Sequence, residues 1–150
     1  MQPGRRLFIR GVLALAALTA VPRALLAMAW PANAFGAVAA SDAMNELFGT
    51  SQSTPSDAIT LGAPEIAENG AVVPISIETS LPDVQSISVI VDKNPRPLAV
   101  SFEIPPGTQA NVACRIKMGE TSPVRAIVKT PDGLFSTEKE VKVTIGGCGG

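Results

Sequence analysis

Cys148 stands third from the end of the chain, in the run Gly146-Gly147-Cys148-Gly149-Gly150. A thiol can attack, be oxidised or carry a covalent adduct, and the glycines around it have no side chain to block a narrow channel. A thiol is activated by a cation, a helix N-terminus or a metal. The tail supplies none of these, since the nearest basic residue in sequence is Lys142. Cys148 is therefore expected near the ordinary thiol value of ~8.5, accessible but not activated. That profile fits a carrier whose chemistry comes from the active site it visits. Three residues at ~3.3–3.6 Å each let the thiol reach roughly 10 Å beyond Ile145.

Other readings of the tail cysteine are an accident of sequence and a staple joining two chains through a disulfide. Four glycines placed symmetrically around it argue against accident. Prenylation needs a cysteine fourth from the end, and lipoprotein cysteines sit at the other terminus. The second cysteine, Cys114, falls in phase with Val112, Ile116 and Met118 in "NVACRIKM". That phase points it into a core, where an unpaired cysteine behaves as a small apolar residue. A disulfide between the two would need a core residue to turn outward.

Elsewhere the chain is poorly supplied for catalysis. It has 150 residues with no histidine and no tyrosine, which removes the usual general base, metal ligand and phenolic donor. With no histidine and no clustered methionines, a copper chaperone lacks its ligands. Arg5 and Arg6 precede an apolar run, "VLALAALTAVPRALLAMA", that Pro22 and Arg23 interrupt. The pattern reads as a secretory signal of twin-arginine type, and the clean apolar stretch is too short for a membrane span. Three A-x-A sites follow, at residues 27–29, 32–34 and 37–39. A cut after Ala34 is expected, because Pro31 ends the apolar helix. Removing residues 1–34 leaves 8 basic and 13 acidic residues, a net charge of −5. An acidic chain argues against nucleic acid and anionic membrane as partners.

Beyond the signal, "SDAMNELF" at 41–48 predicts a short helix capped by Ser41 or Asp42, and "GTSQSTPSDA" predicts a linker. From Ile59 the period becomes two. Val73, Ile75 and Ile77 alternate with Pro74, Ser76 and Glu78; Ile87, Val89 and Val91 alternate with serines; Val141, Val143 and Ile145 alternate with Lys142 and Thr144. Turns are signalled at 68–70, 94–97, 105–107 and 131–133. Six or seven such strands predict an all-β fold, an immunoglobulin-like antiparallel β-sandwich with a short N-terminal helix and a flexible C-terminal Gly-Cys arm. Pro74 inside a run predicts an edge strand. The expected organisation is a signal at 1–34, helix and linker at 35–57, sandwich at 58–145 and arm at 146–150.

The ending "EVKVTIGGCGG", with "APEIAENGAVVPISIE" and "VDKNPRP" upstream, resembles the SoxY family. The family comprises sulfur-carrier subunits of bacterial thiosulfate oxidation, and the likeness runs from about Met44 to the C-terminus. The resemblance implies a periplasmic heterodimer with SoxZ, exported on this chain's signal. It implies that Cys148 carries pathway intermediates covalently, with no cofactor and no catalytic site on this chain. By the same likeness, SoxAX conjugates thiosulfate to the thiol and SoxB, a dimanganese hydrolase, releases sulfate. SoxCD, in organisms that have it, oxidises the remaining sulfane sulfur. Cys114 departs from the family's single-cysteine pattern. The Asn94-Pro95-Arg96-Pro97 turn is family-like; it reads first as a rigid turn and second as a point of docking to an enzyme, with no mechanism implied. Two rivals remain open on the residues alone. One is a structural immunoglobulin-like module linked through an intermolecular disulfide at Cys148. The other is a carrier activated at its terminal Gly-Gly carboxyl, which the export signal and the strand pattern oppose.

Overall fold

The computed structural model describes residues 30–144, and the folded body begins at Pro31. Two short helices open it, α1 (Ala32–Gly36) and α2 (Ala40–Phe48). Nine strands follow among the described residues. They are β1 (Thr54–Pro55), β2 (Ile59–Gly62), β3 (Ile66–Ala67), β4 (Val73–Thr79), β5 (Ser86–Val91), β6 (Leu98–Glu103), β7 (Asn111–Ile116), β8 (Ser122–Thr130) and β9 (Gly133–Val143). They form two sheets, as the alternation predicts. One runs β1-β9-β8-β5-β6, with β3 also on β9, and the other runs β2-β4-β7.

The core lies between the sheets and is built by the period-two pattern. Val73, Ile75 and Ile77 of β4 face it, as do Ile87, Val89 and Val91 of β5, with Val124, Ala126 and Val128 of β8. The outward residues of β4, Pro74, Ser76 and Glu78, are exposed. Long pairings are antiparallel, but β1 and β3 each add two residues parallel to β9. The chain therefore crosses from the edge of one sheet to β2 in the other and back again. This crossing covers the open side of β9, which would otherwise be an unpaired edge.

Pro74 departs from expectation. Its strand, β4, lies between β2 and β7 rather than at an edge. Proline is tolerated because β2 pairs only as far as Gly62 opposite Ser76, so β4 is locally unpaired on that side at Pro74.

The helices are not set apart by a linker. They cover the outer face of the larger sheet, where Ala34, Ala43 and Met44 pack with Ile90, Leu98 and Ile127. This explains why every residue of β5 is buried, including those predicted to face solvent. Ser88, fully buried on that outer face, meets its polar need through the Ser101 hydroxyl at 2.8 Å. The predicted linker contains β1 as well, and Ser53 bonds Ser136 at 2.8 Å. Neither Ser41 nor Asp42 caps α2: the N-cap is Ala39, and no side-chain cap forms. Asp42 instead lies in the first turn, where its charge favours the helix dipole. At the other end Gly49, with φ 78°, closes α2 by donating its amide to the Asn45 carbonyl at 2.8 Å. Met44 is only 1% exposed, so Met44→Ala should cost about 3 kcal/mol in urea denaturation.

A cut after Ala34 meets an obstacle here. Ala34 lies inside α1 and is 1% exposed against the sheet, so cleavage there would remove part of the packed layer.

Candidate functional site

Cys148 and its flanking glycines, Gly146, Gly147, Gly149 and Gly150, lie outside the described residues, as do Arg5 and Arg6. What the structure shows is the mount on which the thiol segment is carried. β9 is the longest strand, 11 residues, and it is held on both sides. β8 pairs with it from Ser122↔Val141 to Thr130↔Gly133. On its other side β3 pairs Ile66 with Lys142 and Ala67 with Val143. The Thr144 amide then donates to the Ala67 carbonyl at 3.2 Å. The strand is thus anchored to within four residues of Cys148.

The loops around Thr144 are tied into one end of the sandwich. The Val143 amide donates to the Thr121 hydroxyl at 3.0 Å. The Met118 amide donates to the Gly70 carbonyl at 2.7 Å. Gly70 has no room for a side chain, because a Cβ there would collide with the Met118 carbonyl and the Val143 methyl. The 94–97 turn belongs to the same end. Asn94 Nδ2 donates to the Lys117 carbonyl at 2.7 Å, and Asn94 Oδ1 accepts from the Gly119 amide at 3.1 Å. Arg125 secures the turn's entry by donating to both Asp92 carboxylate oxygens, at 2.6 and 2.7 Å. The sequence marks 94–97 as a rigid turn, but only these bonds show what it is pinned to.

Cys114 sits on the inner side of β7, paired with Ile75 and packed on the core with Val112. It is half-buried rather than fully buried, because β7 is an edge strand. Burial pushes its thiol above the usual range, since the thiolate loses solvation. A shallow groove of about 540 Å³ opens beside it, with Cys114 itself in the lining along with Pro64, Pro74, Ser76, Ala113 and Arg115. The described residues contain no group of three His, Cys, Asp or Glu side chains able to hold a metal. No helix among them is long and apolar enough to cross a membrane.

The described body is an all-β sandwich whose final strand, β9, is anchored as far as Thr144. The family described as "Sulfur oxidation protein SoxY" matches residues 44–148. Among solved structures, the sulfur carrier protein SoxY from Chlorobium limicola f thiosulfatophilum is 38% identical, with a TM-score of 0.63. That likeness covers 69% of this chain and 94% of the other. The chain belongs to the SoxY family, the sulfur carrier proteins of sulfur oxidation. A likeness to an engineered protein, at 15% identity and a TM-score of 0.40 over 58% of this chain and 20% of that one, carries no argument. The comparison with curated proteins returned no match.

Proposed function

We propose that this chain is a periplasmic carrier that holds sulfur intermediates covalently on Cys148 and presents them to partner enzymes. The observation that supports this most is that the family match ends on residue 148, the cysteine itself. Gly146, Gly147, Gly149 and Gly150 serve as the arm, keeping its cross-section near that of bare backbone. The chain needs no cofactor and no catalytic site of its own, because the reactions take place in the enzymes it visits.

The atoms balance as follows. The Cys148 thiolate and thiosulfate join through a new S–S bond, releasing two electrons to the haem enzyme SoxAX. The product, a cysteine S-thiosulfonate, ends in a sulfonate. SoxB then adds water across the terminal S–S bond, which leaves a persulfide on Cys148 and releases sulfate and a proton. Where SoxCD is present, the sulfane sulfur takes oxygen from three waters to become a sulfonate, giving up six electrons to that enzyme's electron acceptor and seven protons to solvent. SoxZ is the companion subunit in a heterodimer. Arg5 and Arg6 direct export of the folded pair by the twin-arginine route, and nucleic acid and membrane are not partners. The signal is cut after Ala29, in Ala27-Met28-Ala29, so that α1 and its buried Ala34 are retained.

One measurement addresses both the carrier role and the cut. Intact mass of protein taken without reductant from thiosulfate-grown cells should show a chain starting at Trp30 and bearing sulfur adducts. Peptide mapping should place them on the C-terminal fragment. A Cys148 found unmodified, or only linked to a second chain, would overturn the carrier role and favour the disulfide-linked structural module.

A further inference from the structure

We propose that the end of the sandwich around Thr144 is the docking face for the enzymes that act on Cys148. Its occupant is an enzyme with a narrow channel whose rim is acidic and partly apolar. The inference rests on the carrier reading and goes beyond it by naming the surface.

Covalent geometry sets the first constraint. Thr144 is hydrogen-bonded to Ala67 in the body of the fold. Cys148 is four residue steps further along the chain, and at most ~3.6 Å of extended chain per step gives a reach of about 14 Å. Any active site that meets the thiol therefore lies within about 14 Å of Thr144. An enzyme that buries its reacting atoms at the bottom of a channel must spend most of that length on the channel itself. Its rim is then forced against whatever surrounds Thr144.

What surrounds Thr144 is unlike the rest of the sandwich. From β1 to Thr144, the large hydrophobic side chains that are exposed are Ile66, at 57%, and Val72, at 49%. Ile66 pairs with Lys142 on the strand that leads to the arm, and Val72 stands two residues beyond Gly70. Isolated exposed apolar residues are ordinary, but two at the root of the one segment that must enter a partner are placed for contact. The same end carries Lys93, Arg96, Lys117 and Lys142, all exposed, against the exposed Glu65, Glu68 and Glu120. Four of the eight cations in residues 35–150 are thus gathered on one end of a chain whose net charge over those residues is −5. Such a face is steered toward a negative rim.

The face is also rigid. Pro95 and Pro97 fix backbone on either side of Arg96, and Asn94 clips the turn to residues 117 and 119. Gly70 locks the neighbouring loop onto Met118. A preformed surface loses little conformational freedom on contact, which suits brief encounters with several enzymes. This assigns the 94–97 turn a role: it holds Arg96 at the rim.

The test uses the full carrier with its companion subunit and the haem enzyme that loads thiosulfate. Initial rates of loading are read by intact mass as a function of carrier concentration. Arg96→Glu and Ile66→Asp should each raise KM about tenfold and leave kcat within about twofold, because the thiol and its arm are untouched. Lys129→Glu, near the opposite hairpin, should leave both unchanged. Alkylation of Cys148 by iodoacetamide should be equal in all four proteins. An unchanged KM in both rim variants, or a rise that tracks loss of the companion subunit, would overturn the docking face. A parent that accepts no sulfur at all would overturn the carrier reading and the docking face with it.

Discussion

Cys148→Ser should accept no sulfur under conditions that load the parent, while its melting midpoint moves by less than about 1 °C. A serine hydroxyl has nearly the shape of the thiol but cannot form the S–S bond that holds the adduct. The substitution falls four residues past the last described bond of β9 and alters none of the described core contacts. The sharper part of this expectation concerns Cys114, the only other thiol. It cannot substitute, because it faces the core from β7 and burial raises its pKa, which lowers the thiolate fraction available at neutral pH. Iodoacetamide at pH 7.5 should therefore modify Cys148 at least about tenfold faster than Cys114. As pH rises, alkylation of Cys114 should keep increasing after that of Cys148 has levelled off. Sulfur found on Cys114 in the Cys148→Ser protein would defeat this account.

The strands were legible because a half-buried strand writes a period of two into its sequence. Val73, Ile75 and Ile77, or Ile87, Val89 and Val91, leave no other register in which the apolar side is buried. What escaped was whatever depends on a second layer. Ile90 falls on the serine side of β5, and its burial is meaningful only once α1 and α2 lie over it. The helix α1 is a single turn, Ala-Asn-Ala-Phe-Gly, close behind a long apolar run, so no change in hydrophobic pattern marks where one stops and the other begins. β1 and β3 are two residues each, too short to show any period. Pro74 misled because the rule about edges holds residue by residue, and β4 is an edge only at that level. At the site the contrast runs the other way. The proposal for Cys148 starts from its glycine setting in the sequence, whereas the partner groups of Asn94 are 23 and 25 residues away and no local pattern records them.

The second large effect is expected at Ile127, in the layer the sequence did not show. Ile127 is fully buried on the helix-facing side of β8, among Met44, Ile90 and Leu98. Ile127→Asp would put a carboxyl there with Ser88 and Ser136 as its nearest partners across the strands. The group must either stay charged without a counter-ion or bind a proton against its normal affinity, and water must otherwise be let in. Any of these costs several kcal/mol, against a total stability of about 5–15 kcal/mol for a domain of this kind. A loss of ~4 kcal/mol corresponds to a drop of roughly 20 °C in the melting midpoint. The helical layer should not come away alone, because Ala126 and Val128, on either side, belong to the core between the sheets. A single lowered transition, seen alike by helix-sensitive and strand-sensitive circular dichroism, is the expected result. Two separate transitions would mean that α1 and α2 form an independent cover, and Met44→Ala would then cost almost nothing when added to Ile127→Asp.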